Sequence, residues 1–120
     1  MTLSLWLVRI DPDSGSVLEA EPIEGDAGIV GTEDSRGTLW SNPAVVALGA
    51  HRLAGLGDGS LLVGPALIPD VRSECARVLA NAGEVARAGG LSEDYVVLRV
   101  RNVVRALDAA EVRGMGVLVE

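Results

Sequence analysis

The chain has 120 residues, a formal net charge of −7 and a hydrophobic fraction of 48%. That length predicts one domain, whose core would bury roughly two-thirds of the surface exposed by the unfolded chain. The acidic balance argues against nucleic acid or an anionic membrane surface as the main partner, and a lone cysteine, Cys75, excludes an internal disulfide, which suits a reducing compartment.

The apolar material is almost entirely aliphatic. There is no Phe, and Trp6, Trp40 and Tyr95 are the only aromatics. Lys and Gln are also absent, so every basic side chain is Arg. This usage points to a GC-rich bacterial genome. The start, MTLSLWLVRIDPD, lacks the basic region and small-residue cleavage site of a secretory signal, and no apolar window approaches a membrane span. A cytoplasmic location is expected.

In chain order, residues 3–10 read as a strand apolar on both sides, with Leu3, Leu5 and Leu7 opposing Trp6, Val8 and Ile10. Asp11–Ser16 is a turn signal built on Pro12 and Gly15, and Val17–Glu21 reads as the returning strand of a hairpin. Residues 22–37 predict an irregular loop with extended pieces near Ile29 and Val30. Thr38–Trp40 predicts a short strand. Asn42 and Pro43 open a helix predicted to run to about Ala54, and Leu61–Val63 reads as a buried strand.

Asp70 is the expected N-cap of a helix ending at Gly89-Gly90. Val71, Cys75, Val78, Leu79, Ala82, Val85 and Ala86 form its apolar face; Arg72, Glu74, Arg77, Asn81, Glu84 and Arg87 form its solvated face. Residues 92–113 fit a helix capped by Ser92, although Tyr95–Val100 also fits a strand. Met115–Val119 reads as a buried strand entering the sheet interior. The expected fold class is α+β: an N-terminal antiparallel hairpin and further short strands in one sheet, with two or three helices packed on one face.

No motif specifies a reaction, and no residue is assigned a catalytic role. Asp11-x-Asp13-x-Gly15 resembles the opening of a calcium loop, but Gly15, Ser16 and Pro22 fall where an oxygen ligand, a glycine and a carboxylate are required. The glycine-spaced segments at 25–31 and 55–59 lack the residues of a phosphate or dinucleotide loop. His51 is the only histidine and has no close ligand pair, so neither a metal nor a cofactor is expected. Cys75, on an apolar face, reads as a buried and inert thiol. Arg99, Arg101, Arg105 and Arg113 read as a solvated, ion-paired face.

The charge distribution is the one feature that points outward. The first 40 residues hold eight acids against Arg9 and Arg36, whereas the remaining 80 hold nine acids and eight arginines. Glu19, Glu21, Glu24, Asp26, Glu33 and Asp34 would offer a basic protein partner a negative surface, as acidic inhibitor or immunity-type proteins do in general. Two alternatives compete. One is a small-molecule site or enzyme pocket around His51, Arg52 and Tyr95; the other is a homo-oligomeric structural subunit assembled through the doubly apolar first strand.

Overall fold

In the computed structural model, which describes residues 2–120, the first strand, β1 (Thr2–Ile10), decides the layering. Its odd-numbered Leu3, Leu5 and Leu7 enter the main hydrophobic core, whereas Trp6, Val8 and Ile10 do not. Asp11 organises the reversal: its carboxylate accepts the Asp13 N–H at 3.0 Å and its carbonyl accepts the Gly15 N–H at 2.8 Å. Strand β2 (Val17–Pro22) returns antiparallel, with Leu7 opposite Glu21 and Val8 opposite Ala20.

The chain then leaves β1 and rejoins it as β3 (Ile29–Thr32), pairing Leu3 with Gly31 and Thr2 with Thr32. Ile23 still donates to the Leu5 carbonyl at 3.1 Å. Ser4, by contrast, exchanges backbone bonds with Glu120 on the other side, at 2.9 and 3.0 Å. Strands β2 and β3 therefore share one side of β1, separated by an outward bulge at 23–28.

Two short helices follow, α1 (Pro43–Ala47) and α2 (His51–Ala54), then strand β4 (Leu61–Val63) and helices α3 (Ile68–Ala80), α4 (Ala82–Gly89) and α5 (Glu93–Arg113). Strand β5 (Gly116–Val119) inserts between β1 and β4, completing an antiparallel five-stranded sheet of order β2-β1-β5-β4 with β3 beside β1. The α+β class, the N-terminal hairpin and the interior position of the last strand agree with the sequence; the helices number five. Helix α5 lies against the sheet with Val96, Val100, Val103, Ala106, Leu107 and Ala110 buried, and Ser92 caps it by accepting the Tyr95 N–H at 3.1 Å. It resolves the choice between helix and strand. Among the described residues no helix is long and apolar enough to cross a membrane.

Four local expectations fail for identifiable reasons. Thr38–Trp40 is not a strand but part of a wide helical turn, Arg36–Trp40, which sinks Trp40 into the core so that its indole N–H donates to the Val30 carbonyl at 3.0 Å. The 43–54 helix is split because Gly49 adopts φ +76°. Asp70 does not cap α3: Pro69 occupies the first turn, the helix starts at Ile68, and the Asp70 carboxylate stands 3.9 Å from Arg52 instead. The long helix breaks at Asn81, whose side-chain amide donates to the Arg77 carbonyl at 2.8 Å and takes over a backbone acceptor.

Asn42 joins three of these pieces. Its Oδ1 accepts from Ala44 N–H at 2.7 Å and Val45 N–H at 3.4 Å, and its Nδ2 donates to the carbonyls of Val85 at 2.8 Å and Thr38 at 3.2 Å. Replacing it with Ala removes the cap and the two side-chain donations to the Val85 and Thr38 carbonyls, so chemical denaturation should report a loss of roughly 2–4 kcal/mol. Asn42→Ser, which keeps a cap acceptor without adding a buried charge, should lose less than Asn42→Ala.

Candidate functional site

The pairing of both β2 and β3 with one side of β1 strings the acidic stretch along a single sheet edge, flanked by α5. Glu19, Glu21, Glu24, Asp26, Glu33 and Asp34 are all exposed there. Four of them already hold arginines. Glu21 accepts from Arg113 at 3.0 Å, Asp26 from Arg99 at 3.3 Å and Glu33 from Arg36 at 3.0 Å, while Glu19 lies 3.7 Å from Arg9. Among the described residues Glu24 and Asp34 have no such counter-ion. The hydrogen bond from Arg113, and then its charge, hold the Glu21 carboxyl below its ordinary range.

Helix α5 fixes the position of this edge. Asn102 Nδ2 donates to the carbonyls of Asp26 at 3.0 Å and Ile29 at 2.9 Å, and Arg99 adds a bond to Ile29 at 3.1 Å. The Arg99 guanidinium sits 5.2 Å from the centre of the Tyr95 ring. Tyr95 Oη is 2.7 Å from Ser35 Oγ, which accepts the Thr32 N–H at 3.2 Å. Of the four arginines grouped by sequence, Arg99 and Arg113 are thus committed to the acidic edge, and Arg105 lies beside Asn102 Oδ1 at 3.4 Å.

Two hollows open along the edge. One, of about 370 Å³, lies between the β2–bulge segment and α5; Leu7, Ile23, Ala27, Ala106 and Ala109 form its apolar surface, and Glu21, Glu24 and Arg105 supply charge. The other, of about 400 Å³, is a shallow hollow bounded by Thr2, Thr32, Glu33 and Asp34. An apolar recess with carboxylates at its margin can hold an aliphatic side chain flanked by cations. Neither hollow includes His51, Arg52 or Tyr95.

The residues of the alternative pocket are placed apart. His51 is exposed on α2. Arg52, its neighbour, is bound at 3.2 Å by Glu74 and approached at 3.9 Å by Asp70. Tyr95 is engaged with Ser35 and Arg99 at the start of α5. Among the described residues no three His, Cys, Asp or Glu side chains converge to hold a metal ion.

Glu74, expected on a solvated face, is buried instead. Its Oε1 accepts the backbone N–H groups of Arg52 at 3.0 Å and Leu53 at 3.1 Å, so a carboxylate from α3 satisfies the otherwise unpaired start of α2. A helical period gives no sign of this, because the partner arrives from 21 and 22 residues away.

Cys75, the next residue, is fully buried as expected. Burial, and secondarily the Glu74 charge, push its thiol from 9.0 up to about 12. A raised folded-state value leaves stability intact below pH 9.0 and removes it as pH climbs toward 12, because the unfolded chain releases the proton first. Native protein should therefore resist a thiol reagent that labels it rapidly in urea. Above pH 9.0 wild type should lose stability faster than Cys75→Ala, by up to about 1.4 kcal/mol per pH unit.

Comparison with known proteins finds no counterpart: no protein-family model, no curated protein and no solved structure matches the chain.

Proposed function

We propose that the protein is a non-enzymatic acidic binding module, of immunity or inhibitor type, that docks a basic protein partner along the β2–β3 edge. The supporting observation is that all six carboxylates of the 19–34 stretch stand exposed: Glu19 and Glu21 on β2, Glu24 and Asp26 in the segment between β2 and β3, and Glu33 and Asp34 just after β3, the two strands pairing the same side of β1. The arginines that hold four of them do not close the edge to a partner. The Glu19–Arg9 and Glu21–Arg113 pairs are exposed on both sides and contribute only about 0–1 kcal/mol each, so an incoming cation exchanges with them at small cost, whereas Arg36 and Arg99 are largely buried and stay in place.

Glu24 and Asp34 are the two carboxylates that no arginine contacts directly, with Arg105 the one cation lining the recess beside Glu24. Glu24 adjoins the apolar recess and Asp34 the shallow hollow, so recognition has two charged points and an apolar anchor between α5 and the 23–27 bulge. Charge placed this way speeds encounter and rejects acidic competitors, while the recess slows release.

Immobilised protein incubated with host-cell extract at low ionic strength should retain a basic partner that elutes as salt is raised. The Glu24→Gln/Asp34→Asn variant should retain at least about tenfold less, with wild-type thermal stability. Glu84→Gln, an exposed acid on α4, should retain as much as wild type. Equal retention by the double variant, or a partner indifferent to salt, would remove the reading.

A further inference from the structure

The recess of about 370 Å³ between α5 and the 23–28 bulge exists because small residues meet there. Helix α5 contributes Ala106 and Ala109 and the bulge contributes Ala27, so Leu7 and Ile23 face open space. The bulge that forms one wall is fixed. Gly28 packs onto the Ile23 carbonyl with no room for a side chain. Asn102, which is 1% exposed, ties the wall to the helix: its Nδ2 donates to the carbonyls of Asp26 at 3.0 Å and Ile29 at 2.9 Å, and its Oδ1 accepts from Arg105 Nη1 at 3.4 Å. One buried amide therefore holds both the segment that carries Glu24 and the guanidinium across from it.

Three charged side chains line this recess, and they differ in what they already hold. Glu21 is bound by Arg113 at 3.0 Å. Glu24, among the described residues, has no ion pair and accepts no hydrogen bond to its side chain. Arg105 has no carboxylate partner either, and its one bond, to Asn102, leaves most of its donor fork unused. A free anion and a free cation thus line one apolar hollow without meeting each other. With Glu21 neutralised by Arg113, the remaining two charges cancel. The recess is neutral in sum and polarised from bulge to helix, unlike the rest of the acidic edge.

We infer that the recess binds a small zwitterion with an aliphatic body, a free α-amino acid of about leucine size. Its ammonium group meets the Glu24 carboxylate, its carboxylate accepts two parallel N–H bonds from the Arg105 fork, and its side chain covers Leu7, Ile23 and the alanines. Partial ligands match less well. An aliphatic amine leaves Arg105 unanswered beside a surface it has dried, and an aliphatic carboxylate does the same to Glu24. A basic or acidic amino acid carries a second charge onto the apolar floor. Size agrees, since the hollow lies near the lower end of ligand sites, roughly 300–1,000 Å³. A peptide bond would consume one of the two charges, so the free amino acid is the fitting form. The recess is also the anchor in the partner reading above, but the ligand is argued from its walls alone and needs no partner.

Nuclear magnetic resonance titration of labelled protein with L-leucine should move the amide signals of the 23–27 and 105–109 segments and saturate with a Kd on the order of 0.1–1 mM. Isocaproate, which lacks the ammonium group, and isoamylamine, which lacks the carboxylate, should each bind at least about tenfold more weakly. Glu24→Gln and Arg105→Met should each weaken leucine at least about tenfold, yet the first should leave isocaproate unchanged and the second isoamylamine. Ala109→Leu, at an exposed position of α5, should fill the recess and abolish binding with an unchanged thermal transition. Glu84→Gln, on α4, should bind as wild type does. No saturation up to about 10 mM, a truncated ligand that equals leucine, or binding that Ala109→Leu leaves intact overturns the proposal. No protein partner takes part, so failure here leaves the docking edge standing, and an extract that yields no basic partner leaves this site standing.

Discussion

The packing of α5 across the inner face of the sheet is the interaction on which the other features depend. At 21 residues the helix is roughly 30 Å long, enough to reach most of the way along a molecule whose longest dimension is 41 Å. Its buried stripe closes the core against Leu3, Leu5, Leu7, Val117 and Val119. Its polar flank reaches sideways to the bulge and to β3 through Tyr95, Arg99 and Asn102, and its last turn reaches β2 through Arg113. On its far side Arg72 of α3 bridges Asp108 and Glu111 at 2.8 and 3.1 Å. One helix therefore sets the core, places the acidic edge and anchors the second helical layer.

This arrangement changes the meaning of the charge count. Along the sequence the first third is strongly acidic, yet in space it meets arginines from β1, the 36–40 turn and α5. Glu21 and Arg113 are 92 residues apart and still share a hydrogen bond. A count along the chain measures the protein's charge; the field at a surface depends on what folding brings alongside. The edge is consequently a row of mixed charge with two unmatched carboxylates, and its selectivity lies in their positions and in the recess beside Glu24.

What could be read from the residues follows the strength of local signals. Strand β1, the Asp11–Ser16 turn, the Ser92 cap and the stripe of α5 are periodic or stereochemically explicit, and they fold as their sequence says. Thr38–Trp40 has strand-like residues, but burial of the Trp40 indole against Val30 outweighs local preference. Asp70 is a good cap residue beside a proline better suited to the first turn. Glu74 falls on the polar side of its helical period because the amides it serves belong to a different part of the chain. The acidic residues were legible as a set. Their order along one edge was not, since it requires knowing that β2 and β3 flank the same side of β1.

The place of β5 has a kinetic consequence. Leu5 is registered against Val119, and β4 reaches the rest of the sheet only through that strand. Joining ends so distant costs roughly 4 kcal/mol of loop-closure entropy before any strand pairing compensates. Helical hairpins form in microseconds from neighbouring residues, so the helical layer assembles while the sheet still waits for its middle member. During that interval the hairpin and β4 present open backbone to other chains, and the rate of sealing this gap governs how much material survives refolding at high concentration.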